Sequence, residues 1–100
     1  MKNSLSPAEF KYVYGNAKSL VIQEIKYYYK KDPNPKVGFI VSRKYGNAVE
    51  RNLFKRRCRH IFYELIKNGF SYSIIIQPKT TNNNWNKIKS SFESMNAKLT

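Results

Sequence analysis

Gly46-Asn47-Ala48-Val49-Glu50-Arg51-Asn52-Leu53-Phe54-Lys55-Arg56-Arg57-Cys58-Arg59 places five cations on a segment whose apolar residues recur at helical spacing. At about 100° per residue, Phe54, Cys58, Ile61, Phe62 and Leu65 fall within roughly a third of the circumference, the width of a buried face. Arg51, Lys55 and Arg59 then line one flank of that face, about 6 Å apart along the axis. Asn52 and Arg56 extend the row toward solvent. Glu50 and Glu64 are the only acids on this helix, so the row lacks the glutamates four residues away that usually neutralise such an array. Like charges one turn apart destabilise a helix modestly. An uncompensated row therefore points to an anionic partner, and a rigid line of donors suits a phosphate backbone.

The whole chain carries the same signal. Nineteen Lys and Arg stand against six Asp and Glu, a formal net charge of +13 on 100 residues, which is the electrostatic footprint of a nucleic-acid-binding domain. Charge alone would also suit a membrane surface. However, the longest apolar run is the neighbourhood of Ile74-Ile75-Ile76, far short of a spanning helix, and no signal peptide opens the chain. These features predict a soluble, cytoplasmic protein with no membrane partner. The single cysteine, Cys58, excludes an intramolecular disulfide and sits on the apolar stripe, so it reads as a buried, reduced thiol.

One hundred residues with 41% hydrophobic content make one domain, residues 1–100, with a modest core. Ahead of the basic helix, Ser6, Pro7 and Glu9 spell a capping box, and Leu5 and Phe10 are placed for a hydrophobic staple, so a short helix starts there and ends near Gly15. From Leu20 to about Tyr29 the chain is rich in β-branched and aromatic residues. Ile25, Tyr27 and Tyr29 alternate with Glu24, Lys26 and Tyr28, as in a half-buried strand. After a turn at Asp32-Pro33-Asn34-Pro35, Val37, Phe39 and Val41 alternate in a second strand, expected to pair with the first as a hairpin. The basic helix stops near Asn68-Gly69, and Tyr72 to Gln77 reads as a buried strand. Trp85, Ile88, Phe92, Met95 and Leu99 then recur on a last amphipathic helix, with Trp85 read as core. The expected fold is α+β: an α-β-β-α-β-α sandwich with helices packed on a small mixed sheet.

The run from Val37 to Arg59 contains Gly-Phe-Ile-Val-Ser-Arg-Lys followed by Gly-Asn-Ala-Val-x-Arg-Asn-x-x-Lys-Arg. This is similar to the signature of the protein subunit of bacterial ribonuclease P, and the element order extends the resemblance over nearly the whole chain. The resemblance implies a ribosomal protein S5 domain 2-like fold with a left-handed strand-helix-strand crossover, an exception to the usual right-handed rule. It also implies an accessory subunit. In such an enzyme a catalytic RNA removes the 5′ leader of precursor tRNA, and the protein assists. The partners implied are ribonuclease P RNA and precursor tRNA, with no obligate protein partner.

Carried over residue by residue, the resemblance gives the RNA subunit Arg51, Asn52, Lys55, Arg56 and Arg59. It places the single-stranded leader in a cleft between the first helix and the sheet. That cleft would draw on Phe10 and Tyr14, on one or more of Tyr27, Tyr28 and Tyr29, on Ile40 and Ser42 at its floor, and on Arg43 and Lys44 at its end. Leu53 and Gln77 stand where the family commonly has arginine, and Arg57, one turn beyond Leu53, is positioned to replace the first of these. The basic N-terminal arm is reduced to Lys2. Independently of family, single-stranded RNA is held by aromatic stacking together with a cationic groove. Phe10 and Tyr14, four apart on one helical face, serve equally well as platforms or as core.

Intrinsic nuclease chemistry finds no support in the residues. Glu9, Glu24, Asp32, Glu50, Glu64 and Glu93 are scattered over several elements, whereas two-metal hydrolysis needs converging carboxylates. His60, the only histidine, has no visible catalytic partner. No catalytic residue and no protein metal ligand is therefore expected. Any Mg²⁺ would be held mainly by the RNA. The competing reading is a freestanding RNA-binding module, such as a ribosomal protein or an RNA chaperone, and composition fits it equally well.

Overall fold

The computed structural model describes residues 3–80 and 84–100; Lys2, the residue left of the basic arm, lies outside them. The first helix, α1 (Pro7–Asn16), begins with the capping box that its sequence spells. Ser6 Oγ accepts from the Glu9 amide and the Glu9 carboxylate accepts from the Ser6 amide. Next come β1 (Lys18–Ile22), β2 (Ile25–Lys31), β3 (Val37–Phe39), a single 3-10 turn over Arg43–Tyr45, α2 (Ala48–Lys67), β4 (Tyr72–Pro78) and α3 (Trp85–Leu99).

The expected class holds, with two corrections. The stretch read as one strand from Leu20 to Tyr29 is a hairpin, folded at Gln23 and Glu24, whose φ angles are 50° and 67°. Both residues occupy the left-handed region that tight hairpin turns demand and that Asn-Gly usually fills, so nothing in the composition marked the break. The hairpin expected between the strands flanking Asp32–Pro35 does not form. The sheet order is β1-β2-β4-β3, with β2 antiparallel and β3 parallel to β4. β4 thus inserts between the two strands that are neighbours in sequence, and α2 is the crossover joining the parallel pair. Asp32 braces the connecting turn instead, accepting from the Asn34 amide and the Ser73 hydroxyl.

The two faces of the sheet differ. Tyr27, Ile74, Ile76 and Val37 point toward α2 and α3, where they join Phe54, Cys58, Phe62, Ile88, Phe92 and Met95 in the main core. Tyr28, Ile75 and Gly38 are neighbours in register on the opposite face. Among the described residues that face carries only α1, which buries Val13. Gly38 is required by a close approach: a Cβ there would lie 2.9 Å from both Leu5 Cδ1 and Phe10 Cδ2. A ten-residue helix cannot cover a four-stranded sheet, and the uncovered remainder is a cleft.

Helix α1 is tied to the sheet by an ion pair between Glu9 and Lys36. That partner, together with the Ser6 cap, depresses the Glu9 carboxyl from 4.5 to about 2. A depressed carboxyl pKa contributes stability that is complete above the unfolded value and is lost as pH falls through the folded value. The melting temperature of Glu9→Gln should therefore lie below that of wild type at about pH 6, and the gap should close between pH 4.5 and about 2. A gap that stays constant over this range would mean that the pair does not anchor the helix.

Candidate nucleic-acid interface

Two basic surfaces meet at the 3-10 turn. The first is the cleft beside α1. Tyr14 is half exposed and its ring lies 4.9 Å from that of Tyr28, while Phe10 stacks beside Tyr14 at 6.2 Å with planes 10° apart. Contact with the Tyr28 hydroxyl raises the Tyr14 pKa above its ordinary value. The Tyr28 hydroxyl donates to Gln77 Oε1 at 3.2 Å, and Lys26 Nζ sits 4.9 Å over the Tyr28 ring. The result is an aromatic wall with a polar floor and a cation beside it. Ile40 extends the floor, donating its amide to the Ile76 carbonyl. Ser42 lies beyond the floor, where its carbonyl accepts from the Tyr45 amide at the start of the 3-10 turn and where, with Lys44 and Lys79, it lines a hollow of about 190 Å³. Arg43 and Lys44 are exposed on that turn, which Tyr45 pins by packing its ring 5.1 Å from Phe54.

Of the three tyrosines considered for the cleft, only Tyr28 faces it. Tyr27 is fully buried on the opposite face, with its hydroxyl 2.8 Å from Ser91 Oγ and its ring edge-on to Phe92; burial pushes its pKa up. Tyr29 shares the face of Tyr27, packs edge-on against Tyr72, and lines a lysine-rich hollow with Lys18, Lys31 and Lys98. The reason is the period-two alternation of a strand. The same alternation puts Lys26 and Lys30 on the cleft face, and neither was singled out from sequence. Lys30 lies 5.6 Å over the ring of Tyr12, an exposed aromatic also missed. Gln77, noted only for what it replaces, holds the Tyr28 hydroxyl.

The second surface is the row on α2. Asn47 caps the helix in a second capping box with Glu50, so the array starts from a fixed end. Arg51 donates from Nη1 to the Gly46 carbonyl at 3.2 Å, which ties the first member of the row to the turn. Arg59 lies with its guanidinium 5.1 Å from the centre of the Phe39 ring, and its Nε is buried without a hydrogen-bond partner. A buried donor of this kind is one that an incoming acceptor would satisfy. Lys55 is half-buried, while Asn52 and Arg56 are exposed. Arg57 stands off the row, one turn beyond Leu53 on the same side of the helix, and with Arg56, His60 and Trp85 it lines a hollow on the other flank. Cys58 is fully buried beneath the helix, where burial raises its thiol pKa well above the ordinary value and keeps it an unreactive thiol.

Among the described residues no three of His, Cys, Asp and Glu converge as a metal-holding set, and no helix is long and apolar enough to cross a membrane. Lys44 at the end of the cleft and Ala48 at the start of α2 are separated only by Tyr45, Gly46 and Asn47. The 3-10 turn thus joins the end of the cleft to the start of the α2 row.

A family model described as Ribonuclease P matches residues 3–100. The chain is 33% identical over 93 residues to the ribonuclease P protein component of Oceanobacillus iheyensis, covering 87% of this chain and 77% of that one. It is 36% identical over 80 residues to that of Phytoplasma australiense, covering 75% and 70%. Its fold superposes on the RNase P protein from Thermotoga maritima with a TM-score of 0.77 at 20% identity, covering 92% of each chain. For a Staphylococcus aureus RNase P protein the TM-score is 0.73 at 24% identity, covering 94% and 90%.

Proposed function

Since the chain belongs to the ribonuclease P protein family, and is thus the protein component of a ribonucleoprotein endonuclease, we propose how its two surfaces divide the RNA. The α2 row binds the RNA subunit, and the cleft beside α1 binds the 5′ leader of precursor tRNA. The observation that carries this reading is the aromatic wall of Phe10, Tyr14 and Tyr28, which ends at Arg43 and Lys44, a few residues from α2. Exposed and half-exposed rings supply sequence-tolerant stacking for unpaired bases, and flanking cations follow the phosphates. A leader lying along the cleft would run toward the surface that holds the catalytic RNA.

The acids among the described residues do not converge on a common point, which supports leaving the metal to the RNA. We assign the Mg²⁺ that hydrolysis requires to phosphates of the RNA subunit. The protein's part is then electrostatic and positional: neutralising phosphates where RNA and substrate crowd together lowers the cost of bringing both, and their metal ions, into register.

Reconstitution tests this division of labour. The purified chain should not cleave precursor tRNA alone. Added to a bacterial ribonuclease P RNA at about physiological ionic strength, where the RNA alone pays most for crowding phosphates, it should restore cleavage at the mature 5′ end. Cleavage by the protein alone would overturn the accessory role. Failure to stimulate the RNA would favour a freestanding RNA-binding module.

A further inference from the structure

We infer that a second RNA-contact surface lies on the far flank of α2, where an unpaired base of the RNA subunit stacks on Trp85. Arg56, Arg57 and His60 of α2 and Trp85 of α3 line one open hollow of about 410 Å³. The rings of His60 and Trp85 have centroids 5.7 Å apart and planes inclined by 53°. The two rings are in contact and together form one wall of the open hollow, where a flat ring can lie against the indole. Trp85 is half-buried and packs against the core on its inner side, so the platform is already ordered before any ligand arrives. Arg56 and His60 are exposed at its rim.

The surroundings select the occupant. No carboxylate lines the hollow, and the first turn of α3 carries no acid, although acids are favoured at that end of a helix. An indole stacks on any base, and guanidinium groups take the adjoining phosphates. The hollow is also continuous with the RNA-facing array, because Arg56 extends the row of Arg51, Lys55 and Arg59 on one side and lines the hollow on the other. An RNA strand crossing α2 would meet cations first and the indole last. This inference rests on the assignment of α2 to the RNA subunit and adds a stacking contact to it.

Trp85 is the only tryptophan, so its emission reports on the proposed site directly. Titrating the full chain with a bacterial ribonuclease P RNA should quench that emission as the complex forms. Trp85→Ala should weaken RNA affinity roughly tenfold without altering the slope of log K against log salt, since stacking releases no counterion. Arg56→Ala should lower that slope by roughly 0.7 to 0.9. Trp85→Phe, which preserves the packing, should bind between the two extremes and guards against a folding defect in the alanine variant. Complex formation with no change in Trp85 emission, or Trp85→Phe and folded Trp85→Ala proteins that both bind like wild type, overturns the inference and leaves the hollow to a protein or to solvent. If instead Arg51→Ala and Lys55→Ala leave RNA affinity untouched, the assignment of α2 itself has failed.

Discussion

Replacing Arg51, Lys55 and Arg59 together by alanine is expected to cost about two decades of affinity for ribonuclease P RNA near 0.15 M salt and to flatten the salt dependence. Each phosphate contact contributes roughly 0.7 to 0.9 to the slope of log K against log salt, so three lost contacts lower it by about 2 to 3. The three residues differ in what else they do. The Lys55 side chain makes no hydrogen bond or ion pair among the described residues, Arg51 holds the Gly46 carbonyl, and Arg59 packs on Phe39. Lys55→Ala should therefore leave the melting temperature unchanged, while Arg59→Ala lowers it through lost packing. Filter binding across a salt series, with melting temperatures on the same preparations, separates the two effects. If the folded triple variant binds with wild-type affinity and slope, the row is only a solvated helix surface.

The sequence was most legible where one residue type has one physical use. Ser6 with Glu9 admits few readings, and the capping box they spell stands in the structure. The hairpin turn was hidden because Gln23 and Glu24 adopt positive φ without a glycine or asparagine to signal it. The pairing of β2 with β4 was hidden for a different reason. It joins residues such as Tyr27 and Ile76 that are distant in sequence, and local alternation says which face a residue takes but not which strand lies beside it.

The cleft residues fall between these cases. Alternation alone put Ile25, Tyr27 and Tyr29 on one face and Lys26 and Tyr28 on the other, so a choice among the tyrosines was available once the buried face was known. What sequence could not supply was the short reach of α1. Its ten residues leave Tyr28 beside a half-exposed Tyr14 instead of under a helix. Nor could it place Arg57, because an angle around the helix axis does not tell which neighbour fills that sector. Here it is α3, by way of Trp85.

Adjacent tyrosines on opposite faces give the sharpest test of the cleft. Tyr27→Ala removes a fully buried ring together with its bond to Ser91. It should cost roughly 3 to 5 kcal/mol of folding stability and impair every function through loss of folded protein. Tyr28→Ala and Tyr14→Ala remove rings that stand on the cleft face. They should leave the melting temperature nearly unchanged while weakening binding of precursor tRNA to the reconstituted enzyme roughly fivefold to a hundredfold. Mature tRNA, which has no leader to stack, should bind as before. Comparing both tRNAs on one preparation of each variant separates a lost stacking surface from a lost fold. Equal losses for the two tRNAs in folded Tyr14→Ala or Tyr28→Ala protein, or no loss for either, would remove the leader from this cleft. The aromatic wall would then be a helix-to-sheet contact and nothing more.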